Sequence, residues 1–274
     1  MIQSKISRLK QILTEMSSVL IAFSGGIDST FLLSIALKTL SPEKVLAVTA
    51  ASETYPEEEW QNAKKLAQSL GANHISIFTE ELKDDRFFNN PPERCYYCKT
   101  ELFKKLLNIA QSNQLSFILD GANADDLKDF RPGTKAGREL GVRSPLQESG
   151  LTKEEIRNLA REEGLPNWNK PSMPCLSSRI PYGQSITSEK LRQVERAEQY
   201  LRTLGLTDLR VRHHGSIARI EIPESMIAEI VSPIVRQNIL IKLESLGFKY
   251  ITLDLKGFRS GSMNEILPEE IING

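Results

Sequence analysis

The stretch "LIAFSGGIDSTFLL", residues 20–33, decides the fold. An apolar run stops at Ser24, gives way to two glycines, an isoleucine, an aspartate and a serine, and then turns apolar again. A strand that ends in Ser24-Gly25-Gly26 and feeds a helix starting near Asp28 gathers backbone N–H groups and a helix N-terminus around one small space. Such a space favours an anion, because glycine lets the backbone approach closely and the helix dipole adds positive potential. The chain has no GK pair followed by Ser or Thr and no G-x-G-x-x-G, so neither the usual P-loop nor a dinucleotide fingerprint is present. The plainer alternative is a tight turn in which Asp28 and Ser29 only cap the helix.

Outward from this turn, short apolar runs alternate with amphipathic segments: SVLIAF, STFLLSIALKTL, KVLAVTA, PEEEWQNAKKLAQSLG and NHISIF. Continuous rather than alternating apolarity in the strands predicts an α/β, doubly wound parallel sheet covered by helices on both faces. A leading helix over residues 3–16 precedes it. A helix carrying CYYCKTELFKKLLNIAQS and a strand, LSFILDG, follow. Residues 122–150 are rich in Gly, Asp and Arg with little periodicity and read as a long loop that either has a job or is mobile. Thr152 and Glu155 predict a capping box ahead of a helix ended by Gly164. Four prolines between Pro166 and Gly183 make the stretch around Cys175 a loop. The last third (SITSEKLRQVERAEQYLRTLG, LRVRHH, IARIEI, YITLDL) reads as a smaller α+β domain. The predicted domains are residues 1–183 and 184–274.

The bulk numbers set limits. A chain of 274 residues holds one large or two modest domains. Thirty-five Lys and Arg balance 35 Asp and Glu, so no chain-wide field draws it to nucleic acid or anionic lipid. The start, MIQSKISRLKQILTEM, lacks the apolar stretch of a secretion signal, and no run approaches the roughly 20 apolar residues of a membrane helix. A cytoplasmic protein with no membrane partner is expected.

Three cysteines are too few, and odd in number, for a disulfide scaffold. Cys95 and Cys98, three apart at a predicted helix start, share a face; Cys175 is distant in sequence. Redox disulfide, zinc, iron–sulfur, catalytic thiol and plain buried residues all compete. Structural zinc prefers four protein ligands, and His74, His213 and His214 show no ligand spacing to the cysteines. Three thiolates with a fourth position open suit a [4Fe–4S] cluster with one iron free for substrate or sulfide. Arg94 and Lys99 beside Cys95 and Cys98, and Arg179 after Cys175, favour thiolate.

Ser24-Gly25-Gly26-Ile27-Asp28-Ser29-Thr30 resembles the SGGxDS(S/T) motif of the PP-loop ATP pyrophosphatases. The resemblance implies that Ser24, Gly25, Gly26, Asp28 and Ser29 hold the pyrophosphate end of ATP and that Asp28 helps place Mg²⁺. PERCYYCKTELF, DGANADDLKDFRPGTKAGRELGVRSPL, KPSMPCLSSRIPYG and RVRHHGSIARIEI together resemble the LarE family, ATP-dependent sulfur transferases of nickel-pincer nucleotide synthesis, over about residues 4–255. That likeness implies adenylation of pyridinium-3,5-biscarboxylic acid mononucleotide followed by exchange of oxygen for sulfur. It makes Cys175 the sulfur-donating cysteine. Cys95 and Cys98 match a three-cysteine subgroup, implying sulfide carried on a [4Fe–4S] cluster held by Cys95, Cys98 and Cys175 instead of a sacrificial Cys175. A homo-oligomer and a separate sulfide or sulfur donor are implied as well.

The substrate's own phosphate needs cationic or hydroxyl partners, for which Ser177, Ser178, Arg179, Arg210 and Arg212 are candidates. Arg210 and Arg212 share one face of a predicted strand and alternatively pair with glutamates such as Glu195 and Glu198. Gly121, Asp125 and Asp126 follow a strand C-terminus, where open α/β sheets bind ligands, or else form a loop cap. The competing enzyme is a PP-loop tRNA thiolase; the neutral balance and the KPSMPCLSSR string argue against it. An ATP-binding regulator on the same fold is a weaker, non-enzyme alternative.

Overall fold

The computed structural model describes residues 2–128, 132–171, 173–259 and 261–268. In chain order the elements are α1 (Ile2–Met16), β1 (Val19–Ala22), α2 (Ile27–Thr39), β2 (Val45–Ala51), α3 (Glu57–Ser69), β3 (Asn73–Phe78), α4 (Asp85–Phe88) and α5 (Arg94–Ser112). There follow β4 (Phe117–Leu119), α6 (Pro132–Glu139), α7 (Pro145–Glu148), α8 (Lys153–Glu162), α9 (Ser188–Thr203), β5 (Arg210–His214) and β6 (Ile217–Glu221). The last are α10 (Ile227–Ile230), α11 (Pro233–Ser245) and β7 (Tyr250–Leu253). No described helix is long and apolar enough to cross a membrane.

The chain divides into two compact units: residues 1–81 with 93–173, and residues 82–92 with 174–274. The contact boundary thus falls ten residues before the 183/184 division expected from sequence, and the second unit also takes in the segment carrying α4.

In the first unit a parallel sheet runs in the order β3-β2-β1-β4, with Val19 of β1 opposite Val45 on one side and Phe117 on the other. Its central strand is apolar throughout because both faces are covered. Val19 and Ile21 join Leu9 and Leu13 of α1, Phe31 and Leu32 of α2, and Ile156 of α8 in one cluster. Leu20, pointing the other way, packs with Val48 and with Phe103 and Leu106 of α5. The doubly wound α/β sheet read from the sequence is present. Because β2 and β3 lie to one side of β1 and β4 to the other, the strand order reverses between β1 and β4, and a ligand crevice belongs at that C-terminal edge.

Residues 122–150 are not the extended loop that the composition suggests. They hold a 3-10 turn (Ala124–Lys128), α6 and α7. The glycines of α6 read as helix breakers in isolation, yet they let it lie close on α5. A Cβ on Gly133 would come within 2.9 Å of Lys99 Cγ, and one on Gly137 within 3.4 Å of the Phe103 ring. Tertiary packing overrides propensity here. The capping box of α8 forms as predicted: Glu155 N donates to Thr152 Oγ1 at 3.2 Å, and Thr152 N to Glu155 Oε2 at 2.9 Å.

In the second unit β5 and β6 pair antiparallel and β6 and β7 parallel. Leu201 of α9, Leu243 of α11, Val211 and Ile220 form its core. This is the smaller α+β unit that the strand and helix pattern predicts.

Candidate functional site

The turn after β1 is built to bring backbone close. Gly25 has φ +67°, and a Cβ there would lie 2.8 Å from the Ala63 Cβ of α3, so only glycine fits. Gly26 is the N-cap of α2, whose first N–H groups have no acceptor within the helix. Ser24 and Ser29 close the loop: Ser24 N donates to Ser29 Oγ at 3.3 Å, their hydroxyls lie 3.2 Å apart, and Ser29 Oγ donates to Gly26 O at 3.1 Å. From the neighbouring strand, Gly121 approaches so closely that a Cβ on it would be 3.0 Å from Ser29 N. The C-terminal ends of β1 and β4 therefore meet at the α2 N-terminus, at the strand-order reversal where open α/β sheets as a rule bind ligands.

Asp28 sits in the first turn of α2. Its Oδ2 accepts a hydrogen bond from Lys153 Nζ, while its Oδ1 is buried without a partner. A carboxylate oxygen left unsatisfied beside a helix N-terminus is a donor of the type Mg²⁺ takes, so Asp28 fits that ion. Lys153 is a residue that sequence reasoning missed. Its place is set by the Thr152 capping box and by Asp125, whose Oδ2 accepts from Lys153 N at 2.8 Å. Asp125 thus acts on the head of α8. Asp126 accepts from Asn123 N at 3.0 Å. The pairing of Lys153 with Asp28 spans 125 residues and has no local signal.

Cys95 and Cys98 lie on the first turn of α5, the former exposed and the latter half-buried, with Arg94 buried beside them. Cys175 belongs to the other unit. Among the described residues no group of three His, Cys, Asp or Glu side chains is gathered as a metal site.

In the second unit the loop around Cys175 is held from within. Arg179 has no exposed surface; its Nε and Nη2 donate to Glu198 at 2.8 and 3.0 Å. Its Nη1 donates to Pro174 O at 2.8 Å, to Cys175 O at 3.2 Å and to Ser178 Oγ at 2.9 Å. Ser178 Oγ donates in turn to Cys175 O at 2.9 Å. Ser177 Oγ is buried without a partner. Arg212 donates to Glu221 Oε2 at 2.7 Å, to Ser262 Oγ at 2.9 Å and to Ser178 O at 3.0 Å. The structure therefore gathers Cys175, Ser178, Arg179 and Arg212, and commits both guanidiniums to buried carboxylates. Glu198 serves Arg179 and Arg202 rather than Arg210 or Arg212. Glu221, which sequence reasoning did not single out, serves Arg212 and Arg219.

Burial alone would raise the Glu198 carboxyl; the adjoining Arg179 guanidinium and its hydrogen bonds outweigh this and hold it below the usual carboxylate range. Arg210, stacked 5.0 Å above the Phe258 ring, is pulled down to about 10 by burial and then by the Arg179 charge. Removing one partner of a buried pair leaves an uncompensated charge. Glu198→Ala is accordingly expected to cost about 3–5 kcal/mol. A fall in the thermal or denaturant midpoint of the second unit checks this; a loss below about 1 kcal/mol would mean that the pair behaves as a solvated one.

The family model described as NAD synthase matches residues 1–88. The chain is 45% identical to the pyridinium-3,5-bisthiocarboxylic acid mononucleotide synthase of Lactiplantibacillus plantarum, over 97% of this chain and 96% of that one. It is 42% identical to an uncharacterised protein of Synechocystis, over 98% of this chain and all of the relative. A Methanocaldococcus jannaschii protein is 31% identical over 93% and 98% of the two chains. With likeness of this extent along nearly the whole length, the chain belongs to the LarE family, that of the Lactiplantibacillus mononucleotide synthase.

Proposed function

We propose that this protein is an ATP-dependent sulfur transferase that activates a carboxylate of pyridinium-3,5-biscarboxylic acid mononucleotide as an acyl-adenylate and then replaces the activated oxygen by sulfur. The observation that carries this reading is the phosphate-shaped turn of residues 24–29, with the unsatisfied Asp28 Oδ1 beside it, in a chain of this family.

A carboxylate resists nucleophiles because its oxygens are negative and oxide leaves badly; adenylation supplies AMP as a leaving group. The N–H groups at the head of α2 receive the β- and γ-phosphates and stabilise charge on departing pyrophosphate. Lys153 adds a cation beside Asp28, and Gly121 closes the far edge. Mg²⁺, held by Asp28, would neutralise phosphate charge.

For the sulfur step we assign Cys175 as nucleophile. Its thiolate attacks the acyl carbon and AMP leaves; loss of the Cys175 α-proton with cleavage of its Cβ–S bond then gives the thiocarboxylate and dehydroalanine. Arg179, anchored on Glu198, keeps the 174–178 backbone in shape, and Arg212, anchored on Glu221, holds the same loop through Ser178 O. The [4Fe–4S] cluster on Cys95, Cys98 and Cys175 is the alternative sulfide carrier. No step is routed through it. Anaerobic reconstitution with iron and sulfide decides between them: a colourless product supports Cys175 alone, while a broad visible absorption lost in Cys98→Ser establishes the cluster.

The exposed apolar side chains Ile234, Ile241 and Leu255 of the second unit support self-association, and we include a homo-oligomer in the proposal. The activity itself is tested by mixing protein, ATP and the biscarboxylate mononucleotide. AMP and pyrophosphate in equal amounts support it; ADP and phosphate, or activity only with tRNA, would overturn it.

A further inference from the structure

A loop that binds an anion through N–H groups must turn its carbonyls, dipoles of opposite sign, away from that anion. In a glycine pair this is not guaranteed, because glycine tolerates either orientation of the neighbouring peptide planes. All three carbonyls of Ser24-Gly25-Gly26 are engaged. Gly26 O is held locally, accepting from Thr30 N at 3.0 Å, Thr30 Oγ1 at 2.8 Å and Ser29 Oγ. The other two are held by side chains remote in sequence. Tyr55 Oη donates to Ser24 O at 2.6 Å, and Asn167 Nδ2 donates to Gly25 O at 3.0 Å.

We propose that Tyr55 and Asn167 are positioning residues of the phosphate site, which by tying the Ser24 and Gly25 carbonyls hold the remaining N–H groups of the turn in their anion-binding arrangement. The inference rests on the reading that residues 24–29 take the pyrophosphate of ATP.

The chemistry at each position is specific. Asn167 Nδ2 also donates to Thr30 Oγ1 at 3.0 Å, and that hydroxyl spends its own proton on Gly26 O. The chain from amide to hydroxyl to carbonyl therefore has one direction, which requires a donor at position 167 and fixes the amide's orientation. Asn167 Oδ1 is buried without a partner, so the side chain gives up one hydrogen bond to keep its NH₂ on the loop. Aspartate is nearly the same shape and offers no such donor. Tyr55 stands on a rigid base: Ser52 Oγ and Thr54 Oγ1 donate to the buried Glu81 carboxylate at 2.7 and 2.5 Å and fix the turn from which Tyr55 projects. Burial, followed by the Glu59 charge, raises the Tyr55 phenol, which stays a proton donor over the working pH range.

The test uses the full chain with magnesium pyrophosphate as probe. Affinity is read from the rise in melting temperature on titration, alongside KM for ATP and for the carboxylate substrate. Wild type is expected to be stabilised by pyrophosphate. Tyr55→Phe and Asn167→Asp are each expected to bind it about tenfold more weakly, the scale of one hydrogen bond, with a matching rise in KM for ATP and little change in KM for the carboxylate. A purely structural role would instead lower the melting temperature without pyrophosphate and spare the affinity. If Asn167→Asp does not fold, Tyr55→Phe, which removes one oxygen and keeps the ring, decides alone. Variants that bind pyrophosphate as wild type does overturn this inference and leave the phosphate site standing. A wild type indifferent to both pyrophosphate and ATP overturns the phosphate site and this inference with it.

Discussion

Asp28→Ala is expected to lower ATP-dependent release of pyrophosphate by about 10²–10³-fold, the scale of removing one preorganised electrostatic contact to developing charge. The carboxylate stands in the first turn of α2, with one oxygen on Lys153 and the other buried and unsatisfied. Its loss removes the oxygen proposed for Mg²⁺ and leaves Lys153 without its partner. The folding cost should be modest, because both side chains keep about a quarter of their surface in water, 28% for Lys153 and 20% for Asp28. Melting temperature close to wild type with pyrophosphate release gone is the expected pair of results. Unchanged release would remove Asp28 from the site.

Cys175→Ala is expected to abolish thiocarboxylate formation and to leave adenylation in place. The loop around residue 175 is shaped by main-chain acceptors, since Arg179 and Ser178 bind its carbonyl rather than its thiol. The variant therefore keeps that backbone and loses only the sulfur. Pyrophosphate release in a first turnover should persist while sulfur transfer is undetectable. In the wild type, mass spectrometry of the spent enzyme should find dehydroalanine at 175, one per sulfur delivered. Many turnovers with Cys175 intact would instead assign sulfur delivery to a renewable carrier, of which the three-cysteine cluster is the stated candidate.

The first unit was legible wherever the signal is local. The SVLIAF strand is apolar on both faces because α1, α2 and α8 cover one side and α5 the other, and the SGGIDST turn marks the strand-to-helix junction by its glycines. The Thr152–Glu155 box announced α8 to the residue. Illegible features depend on partners far along the chain. Lys153 reaches Asp28, Asn167 reaches Gly25, and Arg212 chooses Glu221 over the glutamates of α9, each through packing that no window of sequence contains. Helix α6 was hidden for a related reason: Gly133 and Gly137 signal a loop unless the close surface of α5 is known. At the cysteines, the i,i+3 spacing placed Cys95 and Cys98 on one helix turn, but the gathering of a third ligand is a tertiary property that spacing does not determine.

In the proposed reaction AMP is joined to an oxygen of the substrate's carboxylate. Biscarboxylate mononucleotide labelled with heavy oxygen in its carboxylates, turned over with unlabelled ATP, tests it directly. The AMP released is expected to carry one heavy oxygen. AMP free of label, formed as fast as the sulfur-containing product, would contradict it.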